Sequence, residues 1–340
     1  MIRIDGSYGE GGGQIVRYGT ALAVLTQTPV EIVNIRAHRP KSGLQPQHLA
    51  AVSLLTRLCH AKTTGVTLGS SKITFVPGSV EPGTYAFDVG TAGSITLVFQ
   101  ACILACLHTT QPITIRLIGG TDVPWSPSWD YFTEVFLQHL KTIGISLDAK
   151  LFRRGYYPIG RGEAEITLYP IQKLKAYQTC SEHQITSISG NIHSAQLPDH
   201  IGTRIKHMLL RLSLKDSLHA SITIEKTIAA SPGTGITLWT RNEQQRILGA
   251  SVLGEKKVPA EKIAAQVYTD IIGEIHAGAT VDVHAFDQLI PYFVITEKPS
   301  YGLIRTMTSH AQTMIWLIHH FFHPSISCEQ QKKNIKFLIQ

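Results

Sequence analysis

Two spacings of hydrophobic residues alternate along residues 1–170. Short runs rich in β-branched and aromatic residues predict strands at residues 2–4, 30–36, 65–68, 72–76, 85–88, 113–119 and 164–169. Apolar residues three and four positions apart predict helices at residues 14–25, 46–59, 94–107 and 129–143. This alternation predicts an α/β (α+β) fold in which helices cover the sheets.

The pattern begins again near residue 185. It predicts a strand (185–193), a helix (199–212), two strands (220–225 and 237–241) and a helix (259–275). Polar residues 170–182 and a turn at 278–280 flank this stretch, after which a strand (303–307) and a helix (311–322) resume the earlier style. We therefore expect a large domain in two segments, 1–182 and 278–340, with a small αβ domain inserted at 183–277.

Glycine-rich turns precede two of the predicted helices. They read Gly11-Gly12-Gly13-Gln14 and Gly90-Thr91-Ala92-Gly93-Ser94. This recurrence predicts an internal repeat of a unit with two helices and few strands.

Composition narrows the class of protein. The longest apolar runs, such as residues 95–107, are interrupted by polar residues and are shorter than the roughly 20 residues of a membrane span. With no apolar leader at the start, a soluble cytoplasmic protein is expected. Five cysteines without a Cys-x-x-Cys pair indicate neither a disulfide framework nor a zinc site, and Cys102 and Cys106 fit one face of a buried helix. A net charge of +7 favours a polyanionic partner such as nucleic acid.

Residues 6–17 have the composition of a ligand-binding loop that leads into a helix. Glycines allow a ligand to approach the backbone, and the helix start offers free N–H groups, so the expected ligand is an anion such as phosphate. The glycine spacing fits neither the dinucleotide fingerprint nor the P-loop. A purely structural turn is the alternative, but such a turn has no need of the carboxylate of Glu10.

Residues 306–313 lead from a predicted strand into a helix and place His310 in its first turn. The positive end of the helix disfavours an imidazolium and attracts phosphate oxygens. Covalent nucleotidylation of a histidine requires both properties, although a histidine that only caps or packs is the alternative. His319, His320 and His323 point in different directions on a helix, which disfavours a metal site.

Three further segments carry candidate binding chemistry. Residues 36–48 combine three fixed cations with two histidines, which suits phosphate binding or a solvated basic loop. Arg17 could add a cation to the same site or lie on the surface. Residues 119–127 form a turn punctuated by glycine and proline that could stack on a base or be an ordinary surface turn. Residues 282–288 are expected to form a loop whose ring and carboxylates suit adenine and ribose.

Together these segments resemble the RNA 3′-terminal phosphate cyclase family. The resemblance covers nearly the whole chain in the expected order and is specific in combination. The matching motifs are Gly-Glu-Gly-Gly-Gly-Gln-Ile-Val-Arg, Arg-Pro-x-x-Gly-Leu-x-x-Gln-His, Gly-Gly-Thr-Asp-Val-Pro-Trp-Ser-Pro, Asp-Gln-Leu-Ile-Pro-Tyr and Ser-His-x-Gln-Thr. It implies a large domain of three repeated βα units with a smaller inserted βα domain.

The resemblance also implies a reaction and a set of site residues. The reaction is the ATP-dependent conversion of an RNA 3′-phosphate into a 2′,3′-cyclic phosphate, with His310 as the nucleophile that carries AMP and Glu10 as the ligand of Mg²⁺ or Mn²⁺. The nucleotide-pocket positions are Gln100, Pro127, His284, Ala285, Phe286, Asp287 and Gln288. The phosphate and RNA-end positions are Gln14, Arg17, Arg36, Arg39, Gln47 and His48.

Two alternatives remain open at the level of sequence. A noncatalytic branch of the family, which serves ribosome assembly, lacks the nucleophilic histidine, so His310 argues against it. An enolpyruvyl-transferase-like enzyme has similar βα repeats but would need lysine and arginine clusters and no covalent histidine. A monomer and a homodimer are both compatible with the sequence.

Overall fold

The structure is a computed structural model that describes residues 1–179, 184–241 and 246–340. Its first unit contains β1 (Ile2–Asp5), α1 (Gly13–Thr26), β2 (Val30–Val33), α2 (Pro46–Cys59), β3 (Lys62–Thr64) and β4 (Ile73–Val76). The strand order is β1-β2-β4-β3. Strands β1 and β2 are parallel, whereas β4 is antiparallel to both of its neighbours.

The second unit repeats this arrangement. It contains β5 (Gly83–Asp88), α3 (Ile95–Ala105), β6 (Ile113–Gly119), α4 (Trp129–Tyr131), a π-helical turn (Phe132–Phe136), α5 (Leu137–Thr142), β7 (Leu147–Arg153) and β8 (Gly162–Leu168). The order β5-β6-β8-β7 has the same pattern of strand directions as the first sheet.

A separate sheet follows, with a hydrophobic core of its own. Its elements are β9 (Ser187–Ala195), α6 (His200–Lys215), β10 (His219–Lys226), β11 (Gly233–Arg241), β12 (Ile247–Leu253) and α7 (Ala260–Ala277), in the strand order β10-β9-β11-β12. Apolar residues of α6 and α7, such as Leu209 and Val267, pack on strand residues such as Ile192. The first predicted domain boundary, between residues 182 and 183, lies outside the described residues.

A third unit completes the chain. It contains α8 (Val283–Val294), β13 (Ser300–Ile304), α9 (Ser309–Ile318), β14 (Ile326–Gln330) and β15 (Ile335–Ile339), in the strand order β13-β15-β14. Gln178 pairs in parallel with Tyr301 of β13, at the place where the first strand lies in the other units. The separate sheet therefore lies, in chain order, between the first strand and the first helix of this third unit.

The three units share one core around α1. Nearly every residue of α1 is buried, and the helix contacts α2, α3 and α9. Because α1 is buried on all sides, it occupies the centre of the large core. The predicted mixed α/β fold is confirmed, and Cys102 and Cys106 are buried as expected. Among the described residues, no helix is both long and apolar enough to cross a membrane.

Two local predictions were wrong. Residues 65–68 form a turn rather than a strand, and Gly65 adopts a φ of +74°, which favours glycine. Residues 283–288 are helical, because the Asp282 carboxylate caps α8 by accepting hydrogen bonds from the backbone N–H groups of His284 (3.0 Å) and Ala285 (2.9 Å). Pro291 inside α8 obscured this helix in the sequence.

Candidate active site

The N-terminal ends of α1 and α9 lie beside each other. The loop at residues 6–12, which follows β1, is packed against α9. The ring of Tyr8 stacks on Trp316 with a centroid distance of 3.9 Å, and a Cβ atom on Gly9 would collide with Thr313. Gly9 also has a φ of +58°, so both conformation and close approach require glycine here. The loop at residues 6–12 is therefore fixed to the helix that carries His310.

His310 lies in the first turn of α9, as the sequence predicted. Thr308 caps this helix, and its hydroxyl accepts a hydrogen bond from the N–H of Ala311 (3.0 Å). Imidazole Nδ1 of His310 is 3.2 Å from Oε1 of Gln14, and Nε2 is 3.4 Å from Oε2 of Glu10. About half of the side chain, 49%, remains exposed, so a substrate can reach the ring.

The surroundings of His310 favour the neutral imidazole. Burial lowers its pKa below the ordinary histidine value; the Glu10 carboxylate opposes this shift, and the charge of Arg17 reinforces it. A neutral ring has a nitrogen lone pair at physiological pH. His310 is therefore in the protonation state that a nucleophile requires.

Glu10 is the carboxylate nearest to this ring. It accepts a hydrogen bond from the Ser309 hydroxyl, and its Oε2 is 3.3 Å from Nη2 of Arg39, whose Nε donates to the Glu10 backbone carbonyl (2.9 Å). The Ser309 hydrogen bond is the main reason why the pKa of Glu10 is lowered; burial opposes the shift. An ionised carboxylate beside the histidine suits Mg²⁺ or Mn²⁺, which take oxygen ligands and bind with few protein groups when phosphates supply the rest.

The basic segment at residues 36–48 covers the start of α1. His48 is buried, its Nδ1 accepts a hydrogen bond from the N–H of Gln45 (3.2 Å), and its ring occupies the space that a side chain on Gly13 would need. Burial lowers the pKa of His48 to about 3, with a further contribution from Arg17. The ring is therefore neutral, and its Nε2–H is a hydrogen-bond donor.

The remaining polar residues of this segment have different partners. Arg36 donates to the backbone carbonyl of Lys41 at 3.3 and 3.2 Å, and Oε1 of Gln47 accepts from the N–H of Ser94 at 3.3 Å. Gln47 thus connects the first unit to the start of α3 in the second.

Arg17 of α1 is buried, and Asp287 of α8 is half-buried. Within the described part of the chain, Nε of Arg17 and Oδ1 of Asp287 have no hydrogen-bond partner. Burial raises the pKa of Asp287 to about 8, and the neighbouring Asp282 adds to this shift while Arg17 opposes it. Arg17 is only 7% exposed, so the surface position left open by the sequence is excluded.

Three of the expected nucleotide-pocket residues are linked by hydrogen bonds to α3 or to α8. Nε2 of Gln100 donates to Oε1 of Gln288 at 2.5 Å, and the carbonyl of Pro127 accepts from the Thr96 hydroxyl at 2.9 Å. His284 is exposed.

Ala285 and Phe286 belong to the core instead. The ring of Phe286 packs against Phe337 with a centroid distance of 4.8 Å and is 1% exposed. It is not available for the base stacking expected from the sequence.

Sequence reasoning missed a buried charge cluster behind the loop at residues 120–128. Arg154 is 3.2 Å from Asp122, 2.8 Å from Asp130 and 2.8 Å from Glu225. Asp122 also accepts from the N–H of Trp129 at 3.2 Å. The sequence contains no sign of this cluster, because its members come from three separate segments of the chain. Ser309 was also missed, although its position next to His310 was a signal.

A neutral histidine in the first turn of a helix, beside one ionised carboxylate and several arginines, is an arrangement that suits covalent transfer of a phosphate-linked group. Residues 8–328 match the family described as RNA 3′-terminal phosphate cyclase, and the chain belongs to that family.

Curated relatives carry the same description. The protein from Caldivirga maquilingensis is 38% identical over 100% of this chain and 98% of its own length. That from Korarchaeum cryptofilum is 39% identical over 94% and 92%, and that from Pyrococcus furiosus is 40% identical over 95% and 93%. All three relatives are called RNA 3′-terminal phosphate cyclase.

Proposed function

We propose that this chain converts the 3′-phosphate end of an RNA into a 2′,3′-cyclic phosphate at the expense of ATP, with His310 as the nucleophile. Membership of the family supports the overall reaction. The observation that carries the role of His310 is its accessible ring in the first turn of α9, with Nε2 3.4 Å from the Glu10 carboxylate.

Three steps account for the reaction. A ring nitrogen of His310 attacks the α-phosphorus of ATP, so that a nitrogen–phosphorus bond forms and pyrophosphate leaves. An oxygen of the RNA 3′-phosphate then attacks the same phosphorus, which frees the histidine and forms an RNA–AMP anhydride. Finally, the vicinal 2′-hydroxyl attacks the RNA phosphorus, closes the ring and expels AMP. Activation is needed because a phosphate oxygen is a poor leaving group, whereas AMP leaves readily.

Glu10 is proposed to hold a divalent cation, Mg²⁺ or Mn²⁺, together with oxygens of the triphosphate. When bound, such an ion offsets the negative charge that the attacking nucleophile must approach. Ser309 and Arg39, which contact the carboxylate, keep it ionised and orient it.

The other site residues divide between the two substrates. For ATP we propose Gln100, Pro127, His284, Asp287 and Gln288, with Ala285 and Phe286 as the core support of that wall. For the triphosphate and the RNA end we propose Arg17, Arg36, Arg39, Gln47 and His48. Within the described residues, Nε of Arg17 and Oδ1 of Asp287 lack a hydrogen-bond partner, which fits a ligand that supplies the missing hydrogen bonds.

We also propose that residues 183–277 are an inserted domain, between large-domain segments 1–182 and 278–340. Its separate core supports this division. The proposal includes a cytoplasmic location, and fractionation of cells that express a tagged chain tests it.

The test of His310 uses ATP labelled in its α-phosphate, a divalent metal and denaturing electrophoresis. We expect a labelled protein band that is labile in acid and stable in alkali, as a phosphorus–nitrogen bond is. His310→Ala should abolish the band, whereas His323→Ala, which changes an exposed histidine beyond α9, should keep it. Labelling that survives in His310→Ala would overturn the role of His310, and complete absence of labelling would favour a noncatalytic or enolpyruvyl-transferase-like protein.

A further inference from the structure

The side-chain amide of Gln14 contacts His310 twice. Its Nε2 donates to the backbone carbonyl of His310 at 3.3 Å, and its Oε1 lies 3.2 Å from imidazole Nδ1. Gln14 is the second residue of α1, 296 positions before its partner, and is 7% exposed. Because α1 is surrounded by the core, the amide is held on a rigid support.

These two contacts determine which nitrogen of the ring carries the proton. A backbone carbonyl only accepts hydrogen bonds, so the NH₂ group of Gln14 must face it. The amide oxygen then faces Nδ1, and since this oxygen also only accepts, Nδ1 must be the donor. Nε2 also faces an acceptor, Oε2 of Glu10 at 3.4 Å, but this contact is longer than the hydrogen bond of Nδ1, so the proton of the neutral ring stays on Nδ1 and the lone pair lies on Nε2.

We propose that Gln14 is a positioning residue that fixes His310 in the Nδ1–H tautomer, so that Nε2 attacks the α-phosphorus. The inference rests on the proposed function and deepens it. It also differs from the sequence-based expectation, in which Gln14 contacts the phosphate or RNA end. The amide oxygen and the amide nitrogen of Gln14 each contact His310 instead.

The tautomer can be measured without substrates. Protein labelled with ¹⁵N in its histidines is examined by long-range ¹H–¹⁵N correlation, and the His310 signals are assigned by their loss in His310→Ala. We expect a protonated Nδ1 and an unprotonated Nε2. Gln14→Ala should lose this pattern in favour of a mixture that includes Nε2–H. Gln14→Glu loses the donor to the His310 carbonyl but keeps an oxygen that accepts from Nδ1–H, so Nδ1 should stay protonated.

Kinetics separate positioning from RNA binding. With labelled ATP and no RNA, Gln14→Ala should form protein–AMP about 10- to 100-fold more slowly at saturating ATP, the usual effect of removing a group that orients a histidine. The KM for ATP should change little. Gln266→Ala, an exposed glutamine on α7, serves as the matched control and should behave as wild type.

Normal protein–AMP formation in Gln14→Ala, with loss of rate only when RNA is added, would overturn the inference in favour of an RNA contact. An Nε2–H tautomer in the wild-type apoprotein would overturn it as well. If the wild type forms no protein–AMP at all, the proposed function fails, while the NMR comparison still decides whether Gln14 sets the tautomer. Thermal unfolding of both variants excludes loss of fold as the cause.

Discussion

The site around His310, with Glu10 and Gln14, and the cluster around Arg154 are both polar, yet they differ in how far their side chains are exposed to solvent. In the site around His310, the side chains of His310 and Glu10 are 49% and 36% exposed. In the cluster, the side chain of Arg154 is 1% exposed and that of Asp122 is fully buried, whereas Glu225 at its edge is 39% exposed. Contacts of His310 are 3.2–3.4 Å long, whereas Arg154 reaches Asp130 and Glu225 at 2.8 Å and Asp122 at 3.2 Å.

This difference in exposure separates residues proposed to take part in the reaction from residues that stabilise the fold. Long hydrogen bonds at an accessible histidine are typical of a catalytic group that tightens its contacts only when substrate binds. A buried arginine with three carboxylates is costly to assemble, but it fixes the parts that it joins. Glu225 lies on β10 of the separate sheet, and Asp122 and Asp130 flank the loop that contains Pro127. The cluster therefore ties that sheet to one proposed wall of the nucleotide pocket.

The largest expected effect comes from breaking the cluster. Arg154→Met leaves Asp122, Asp130 and Glu225 without their shared cation, so the free energy of unfolding should fall by about 3–5 kcal/mol. Urea unfolding measures it. The neighbouring Arg153→Met removes a half-exposed cation 3.9 Å from Glu163 and should cost less than about 1 kcal/mol. Equal losses in the two variants would contradict the contrast between buried and exposed charge.

A second test uses acid and the buried His48. Its folded pKa of about 3 lies below that of the unfolded chain, near 6.5, so only the unfolded state gains a proton as the pH falls between these values. Stability is therefore complete above about pH 6.5, and His48 should account for a loss of about 2 kcal/mol by pH 5. Urea unfolding above about pH 6.5 and at about pH 5 measures the loss of unfolding free energy.

His48→Gln should remove this part of the acid sensitivity. His38→Gln, which changes an exposed histidine, should leave the acid sensitivity as it is in the wild type. An unchanged pH dependence in His48→Gln would show that His48 is not buried in the neutral form.

Substitutions in the accessible site around His310 should change the rate of protein–AMP formation rather than the free energy of unfolding. Ser309→Ala removes the hydroxyl that donates to Glu10, so protein–AMP formation should slow by about 10-fold, within the range for groups that orient a ligand residue. The free energy of unfolding should change by less than about 0.5 kcal/mol. Ser327→Ala, on an exposed position of β14, is the control. A large loss of stability would place Ser309 with the supporting residues instead.

The smallest effect is expected from the ring stack that joins the first loop to α9. Tyr8→Leu removes the stack on Trp316 and should lower the free energy of unfolding by about 0.5–1 kcal/mol. Tryptophan fluorescence and urea unfolding follow the change, with the exposed Tyr157→Leu as control. If Tyr8→Leu and Tyr157→Leu behave alike, the stack does not stabilise the loop.

Local signals in the sequence were sufficient for the glycine loop, for the basic segment and for His310 in the first turn of a helix. Each depends on neighbouring residues, such as the cap Thr308 two positions before His310. The sequence does not distinguish a loop from a helix at residues 282–288, because a capping aspartate such as Asp282 and a following proline such as Pro291 are signals that helices and turns share. The proposed roles of the site residues remain predictions that the labelling and NMR experiments test.

By itself the sequence determined the mixed α/β class, the family and the first-turn position of His310, because periodicity, caps and motifs are properties of short segments. Only the tertiary structure decided that Gln14 meets His310 across 296 residues, that Ser309 meets Glu10, and that Arg154 is surrounded by three carboxylates. The first two contacts depend on how the repeated units pack around α1, and the third depends on how the separate sheet packs on the second unit. Burial then set the protonation of His310 and His48, since the surroundings of a titratable group are a property of the folded chain.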